Sequence, residues 1–154
     1  MIEQPEVCQT ESEPAAVIHL TISRNEMTKE FPEAIHEILD ALKAQGLTPA
    51  GPPYARHLRF DPDIFDFEVG FPVTRAVAPN GRVRAGELPA AKVVRTVYHG
   101  PYEGLPDAWG SFQERVTAGG HSVADEFRER YLKGPEVGTD SSAWRTELSW
   151  RLRE

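Results

Sequence analysis

The chain has 154 residues, of which 40% are hydrophobic and 27% are charged. This is an ordinary balance for a globular domain, and the length suffices for one good core but is short for two independent domains. Acidic residues outnumber basic residues 24 to 17, so the net charge of −7 argues against nucleic acid as a direct partner. The same acidic balance is compatible with a cationic ligand.

The first part of the chain differs from the rest in composition. Residues 1–14 are polar, acidic and punctuated by proline, which predicts a flexible N-terminal arm ahead of a single domain over residues 15–154. The sequence contains no signal-peptide pattern and no apolar stretch of membrane-spanning length. Its single cysteine, Cys8, excludes an internal disulfide. We therefore expect a cytoplasmic protein that does not bind a membrane.

Four elements are predicted in the first half of the chain. Residues 16–23 are rich in β-branched residues and alternate in polarity, which is typical of a strand. The helix that follows extends to about Ala44, and a loop rich in glycine and proline comes next. Residues 54–60 and 65–74 predict a hairpin joined through Asp61-Pro62-Asp63.

The same order recurs in the second half, with strands at residues 91–99, 126–132 and 143–152 and a helix that ends near Ala118. The two helices carry one pattern of apolar, proline and glycine residues at a constant interval of 74 positions. The matched residues are Phe31, Pro32, Ala34, Ile35, Ile38, Leu42 and Gly46 in the first helix, and Leu105, Pro106, Ala108, Trp109, Phe112, Val116 and Gly120 in the second.

This repetition predicts an α+β fold made of two βαββ copies, at about residues 16–74 and 90–152. The copies are expected to share one antiparallel sheet with both helices on one face and a ligand cleft at the seam. Strand alternation directs Phe67 and Leu148 toward the helices. Glu68 and Glu147, which are 79 positions apart, then lie on the open face of the sheet, together with Ser149.

Four short segments, in this order, resemble the GyrI-like effector-binding family, which is related to the ligand domains of drug-responsive transcription activators. The segments are Gly51-Pro52-Pro53-Tyr54, Phe67-Glu68-Val69-Gly70-Phe71-Pro72-Val73, His99-Gly100-Pro101-Tyr102-Glu103-Gly104-Leu105 and Thr146-Glu147-Leu148. The resemblance covers residues 16 to 152. It implies a duplicated βαββ fold with a cleft for aromatic, often cationic, compounds, and it implies that Glu147 is the acidic ligand contact. The sequence shows no helix-turn-helix segment like that of the regulators.

The candidate walls of this cleft are Tyr54, Tyr98 and Trp109, because flat aromatic rings attract cations. Trp109 also fits plain core packing, since it lies on the apolar stripe of the second helix. A carboxylate in an aromatic cleft has a raised pKa unless a cation compensates it, which favours Glu147 as the ligand contact. The alternative for Glu147 is an edge charge that pairs with Arg145 or Arg151. Glu68 and Ser149 are further candidates for contact with the ligand.

Three functions follow from these residues. The first is binding of a small hydrophobic aromatic, possibly cationic, molecule. The second is hydrolysis of strained, cyclopropane-bearing natural products, in which Glu147 and His99 act as acid and base. The third, suggested by the family name, is an adaptor that inhibits a protein such as a topoisomerase. No cofactor or metal is expected, because the histidines lack metal-ligand spacing and no phosphate-binding or dinucleotide motif is present.

Overall fold

The structure is a computed structural model that describes residues 1–153. Its strands are β1 (Glu6–Gln9), β2 (Glu13–Ser23), β3 (Tyr54–Arg59), β4 (Ile64–Pro72), β5 (Arg84–Leu88), β6 (Lys92–His99), β7 (Val123–Lys133) and β8 (Arg145–Leu152). Its helices are α1 (Met27–Ala44) and α2 (Leu105–Ala118). A short 3-10 turn, Arg24–Glu26, leads from β2 into α1.

All eight strands form one antiparallel sheet in the order β1-β6-β8-β7-β3-β4-β2-β5. The first copy consists of β2, α1, β3 and β4, and the second consists of β6, α2, β7 and β8. The copies meet where β3 pairs with β7. Counted inward from either edge of the sheet, equivalent strands of the two copies therefore come in the same order. The predicted duplicated α+β fold is confirmed, with the two helices packed on one face of the sheet.

The edge strands β1 and β5 were not expected from the sequence. Each precedes the first strand of its own copy but pairs with the other copy, β1 with β6 and β5 with β2. The prediction of a loose arm over residues 1–14 is therefore corrected, since Glu6–Gln9 is part of the sheet and the side chain of Ile2 is buried. Composition misses such strands because backbone hydrogen bonds, rather than an apolar face, attach them to the edge.

Two linkers cross the open face of the sheet, residues 10–12 between β1 and β2 and residues 89–91 between β5 and β6. They are joined where the Thr10 amide donates to the Ala91 carbonyl (2.8 Å) and the Ala91 amide donates to the Thr10 hydroxyl (3.0 Å). In a flat sheet β1 and β2 would lie about 29 Å apart, at roughly 4.8 Å per strand. Residues 10–12, which connect β1 to β2, can span about 14 Å at most. The sheet must therefore curve, with its open face concave.

The core lies between the sheet and the helices. Phe67 and Val69 of β4 are fully buried in the cluster that includes α1, and Leu148 of β8 is fully buried in the cluster that includes α2. The predicted orientation of these strands is confirmed. Neither helix within residues 1–153 has the length and apolar character needed to cross a membrane.

Candidate functional site

A cavity of about 400 Å³ lies on the helix face of the sheet, at the seam between the two copies. Its floor is formed by β3 and β7, one wall by the first turns of α2, and its rim by the start of α1 and the β3–β4 loop. Its aromatic lining residues are His57, Phe60, Phe65, Trp109, Phe127 and Trp150. We call this space the seam cavity.

The rings on the floor of the seam cavity pack face to face and edge to face. His57 stacks on Phe127 with ring centroids 4.6 Å apart, and on Phe67 at 5.0 Å on its other side. Trp109 meets Phe127 and Trp150 edge-on, at 5.1 and 5.6 Å. Aromatic clusters of this kind present flat, polarisable walls to a ligand. Trp109, predicted both as a cleft wall and as a core residue, packs against the core and lines the cavity.

Within residues 1–153, Glu129 is the one acidic residue that lines the seam cavity. Its Oε2 atom accepts a hydrogen bond from the indole nitrogen of Trp109 (2.7 Å), and its Oε1 atom accepts one from the hydroxyl of Tyr131 (2.7 Å). The residue is half-buried and lines the cavity. This burial raises the pKa of Glu129, and the two hydrogen bonds offset only part of the effect. The site thus holds an acid that gains from a nearby positive charge.

The sequence of β7 explains why this carboxylate faces the cavity. Phe127, Glu129 and Tyr131 alternate with Arg128 and Arg130, and the odd-numbered set points toward the helices. We did not predict Glu129, although the signal was available: it is a charged residue in the apolar register of a strand, between two aromatic residues. That position is costly without a function, because a carboxylate seldom enters an apolar layer unpaired.

His57 lies on β3 directly opposite Phe127 and was also not predicted as a site residue. Only 3% of its surface is exposed, and its Nδ1 atom has no hydrogen-bond partner among residues 1–153. Burial, with a contribution from the positive charge of Arg24, lowers the pKa of His57 to about 4. The ring is therefore neutral at physiological pH, with one nitrogen that donates and one that accepts a hydrogen bond.

A second hollow, of about 470 Å³, lies on the opposite, open face of the sheet beneath the linker of residues 10–12. Three of the predicted site residues, Tyr54, Glu147 and Ser149, line this open-face hollow. The structure therefore places them together, but on the other side of the sheet from Trp109. The alternative for Glu147, an edge charge paired with Arg145 or Arg151, is not observed, since its nearest basic contact is Arg95.

Ion pairs compensate most of the charge in the open-face hollow. Arg130 contacts the carboxylate of Glu13 at 2.7 Å, and Arg128 contacts that of Glu126 at 2.9 Å. Glu147 lies 3.9 Å from Arg95, too far for a hydrogen bond but close enough for attraction. The hydroxyl of Tyr54 is buried with no hydrogen-bond partner in the described part of the chain, and burial raises the pKa of this phenol. This hollow is polar and nearly charge-neutral, unlike the aromatic seam cavity.

The remaining predicted site residues lie outside both spaces. Glu68 accepts a hydrogen bond from Arg56 at 3.1 Å on the open face. Tyr98 is buried in the core of the second copy, and its hydroxyl donates to the carbonyl of Pro101 at 2.8 Å. His99 contacts the carboxylate of Glu3 at 2.6 Å and does not contact Glu147. The expectation of a His99–Glu147 acid–base pair is therefore corrected, because the residues before β1 engage His99 instead: Glu3 through its carboxylate and Met1 through its carbonyl.

Within residues 1–153 no group of three or more histidine, cysteine, aspartate or glutamate side chains is arranged to hold a metal ion. The seam cavity offers aromatic faces, the carboxyl group of Glu129, the neutral imidazole of His57 and the guanidinium group of Arg24. These groups can bind an aromatic ligand by stacking and a cation by charge. They can also exchange protons with a bound molecule.

Solved structures with a similar fold cover nearly all of the chain. The EcmrR C-terminal domain is 22% identical over 98% of both chains, with a TM-score of 0.81. A hydrolase from Listeria innocua is 11% identical over 97% of this chain and 92% of that one, with a TM-score of 0.68. SAV2435 bound to tetraphenylphosphonium is 11% identical over 98% and 94%, with a TM-score of 0.68.

The comparison with curated proteins finds no match. The model of the GyrI-like small molecule binding domain, in contrast, matches residues 3–153. This match includes both βαββ copies, the exchanged edge strands and every residue of the seam cavity. The chain therefore belongs to the family of GyrI-like small-molecule-binding domains.

Proposed function

We propose that this domain binds aromatic molecules that carry a positive charge, and that it binds them in the seam cavity with Glu129 as the acidic contact. The observation that carries the proposal is the position of the Glu129 carboxyl group, enclosed on the cavity floor between the Trp109 and Tyr131 donors. SAV2435, which shares the fold, was solved with tetraphenylphosphonium, an aromatic cation.

The binding step follows from the charge balance of the cavity. The enclosed carboxyl group has a raised pKa, so its negative charge is costly while the cavity lacks a cation. A ligand cation removes that cost and favours the ionised form. The indole and phenol donors already point at the two carboxylate oxygens, so ionisation needs no rearrangement of these side chains. Trp109, Phe127 and Trp150 supply the faces and edges that exclude water around the ligand.

The test measures the affinity for tetraphenylphosphonium by calorimetry, with triphenylphosphine oxide as a neutral aromatic control. Glu129→Gln keeps the shape of the side chain and removes its charge. We expect this variant to lose about 1–3 kcal/mol of affinity for the cation, within the range of the Coulomb attraction between two unit charges near a protein surface, and little affinity for the neutral compound.

Glu147→Gln is the matched control, because it removes one carboxylate from the open-face hollow. It also tests the competing assignment of Glu147 as the ligand contact. We expect no change in cation affinity for this variant. Loss of affinity in Glu147→Gln but not in Glu129→Gln would move the ligand site to the open face and overturn the proposal.

A second candidate function is hydrolysis of strained, cyclopropane-bearing electrophiles in the same cavity. It is favoured by the presence of a neutral imidazole, His57, and an acid of raised pKa, Glu129, on the two paired strands of the floor. Protonated Glu129 would donate a proton to the carbon released as the ring opens, and His57 would accept the proton of the attacking water. Turnover of such an electrophile by the wild type, with loss of turnover in His57→Phe, would establish this activity.

A further inference from the structure

We infer that the preferred ligand is bipolar: besides the positive charge at Glu129, it carries an anionic group that binds Arg24 at the other end of the seam cavity. This inference rests on the proposed function and specifies the chemical class of the ligand. It follows from the position of Arg24, from the state of its charge and from the order of the groups between it and Glu129.

Arg24 is held at the cavity by contacts from the β3–β4 loop. It belongs to the 3-10 turn between β2 and α1, and its Nη2 atom donates to the carbonyl of Asp61 at 2.9 Å. Its guanidinium carbon lies 4.4 Å from the ring centroid of Phe65 and 5.9 Å from that of Phe60. Both rings line the seam cavity, as does Arg24. The cation therefore lies against an aromatic part of the cavity wall.

The charge of Arg24 is not neutralised by direct contact. No carboxylate of residues 1–153 lies within 4.0 Å of its guanidinium group. Asp61, the acidic residue of the same loop, instead pairs with Arg59 and accepts hydrogen bonds from the amides of Asp63 and Ile64. Of the residues that the structure describes, Arg24 and Glu129 are thus the two charged ones that line the cavity. A simple cation would gain from Glu129 but would be repelled by Arg24.

The groups between the two charges form a continuous aromatic track. The ring of Phe65 meets that of His57 at 5.4 Å, and His57 stacks on Phe127 at 4.6 Å. Glu129 is two residues beyond Phe127 on β7, about 7 Å further along the strand. A planar aromatic molecule can lie on this track with an acidic group at Arg24 and a basic group at Glu129. Guanidinium groups are well suited to carboxylates, which they bind through two parallel hydrogen bonds.

The test uses a matched pair of dyes. Rhodamine 110 carries a cationic ring system and a carboxylate, and rhodamine 123 is its methyl ester, which keeps the cation and loses the acid. We expect the wild-type protein to bind rhodamine 110 about tenfold more tightly than rhodamine 123, measured by fluorescence polarisation at neutral pH. In Arg24→Gln the affinity for rhodamine 110 should fall about tenfold, and that for rhodamine 123 should stay equal or improve.

Two further variants control for effects on folding and on overall charge. Lys29→Gln removes one positive charge from the exposed first turns of α1, outside the cavity, and should leave the preference unchanged. Arg24→Lys keeps the positive charge and should retain most of the preference for rhodamine 110. Thermal melting of each variant checks that the fold is intact.

The outcomes separate this inference from the proposed function. Equal affinity of the wild type for both dyes, or a preference for the ester, overturns the inference while leaving Glu129-dependent binding of tetraphenylphosphonium in place. Absence of Glu129-dependent binding for both dyes and for tetraphenylphosphonium overturns both. A preference for rhodamine 110 that persists in Arg24→Gln also overturns the inference, because the acid would then be bound elsewhere.

Discussion

The two strands that meet at the seam, β3 and β7, have equivalent backbone positions but different side chains. Ala55 pairs with Val69 in the first copy, and Glu129 pairs with Leu148 in the second, where Val69 and Leu148 are 79 residues apart like the other matched strand positions. Ala55 and Glu129 are thus equivalent residues, and they also face each other across the β3–β7 pairing. One is a fully buried alanine, and the other carries the carboxyl group of the cavity.

The surroundings of these two positions differ accordingly. In the first copy, the Phe31 ring of α1 packs over the seam against Phe67 and Tyr131, with centroids 6.5 and 5.4 Å away. In the second copy the equivalent residue, Leu105, is smaller and lines the cavity. The duplication therefore provides two equivalent places, of which one is filled and one is open. A change of side chain, with no change of fold, thus distinguishes a filled core position from one that lines a cavity.

The largest effect on stability is expected when a glutamate is introduced at position 55, the filled equivalent of Glu129. Ala55→Glu would place a carboxyl group where Phe31 and its neighbours leave no room. Overpacking and burial of a poorly paired acid together should cost at least about 4 kcal/mol in the free energy of unfolding. Urea unfolding followed by circular dichroism measures this cost.

The mirror variant, Glu129→Ala, should cost far less, about 1–2 kcal/mol, because the cavity can admit water to the Trp109 and Tyr131 donors. If Ala55→Glu unfolds at the same urea concentration as the wild type, then the space around Ala55 is not filled, and the contrast with the open position of Glu129 is wrong.

Much of this fold could be predicted from the sequence because its core obeys simple periodicities. The interval of 74 positions between the helices and the alternation of β4 and β8 gave the number of copies and the faces of Phe67 and Leu148. The strands β1 and β5 could not be predicted in this way. Arg84–Leu88, for example, is exposed except for Leu88, and it is held by its pairing with β2.

The candidate site was harder to predict, for a different physical reason. A glutamate on the final strand, Glu147, was matched to the acidic ligand contact of the family, and its role there remains a prediction. Its place on the open face followed correctly from alternation, but which face of the sheet holds an aromatic cavity depends on the gap between two helices. That gap is set by side-chain volumes such as those of Phe31 and Leu105, and no short motif encodes it.

A second comparison uses the equivalent aromatic residues Phe71 of β4 and Trp150 of β8. Phe71 is 6% exposed and belongs to the core under α1, whereas Trp150 is half-buried and lines the cavity. Phe71→Ala should cost about 3–5 kcal/mol of stability and leave the tetraphenylphosphonium affinity of the folded protein unchanged. Trp150→Ala should cost less, about 2 kcal/mol, but weaken binding. Equal loss of affinity in both variants would contradict the assignment of the ligand to the seam cavity.

The third comparison, with the smallest expected effect on stability, concerns His57 and its equivalent, Tyr131. Tyr131 donates a hydrogen bond to Glu129, two residues before it, whereas the residue two before His57 is Ala55, which offers no side-chain partner. His57 is therefore buried in its neutral form. Its pKa is about 4 in the folded protein, against about 6.5 when unfolded. Between these values the unfolded chain binds more protons, so stability is complete above about pH 6.5 and falls as the pH drops toward 4.

At about 1.4 kcal/mol for each pKa unit, this loss amounts to about 3 kcal/mol. His57→Phe keeps the ring stacked between Phe67 and Phe127 and removes the titration. Between pH 7 and pH 4, the wild type should therefore lose about 3 kcal/mol more stability than this variant, measured by urea unfolding at each pH. His36→Gln, which alters an exposed histidine of α1, should retain the wild-type profile. A His57→Phe variant with the wild-type acid sensitivity would mean that His57 is charged or solvated in the fold, and would contradict the lowered pKa of this buried ring.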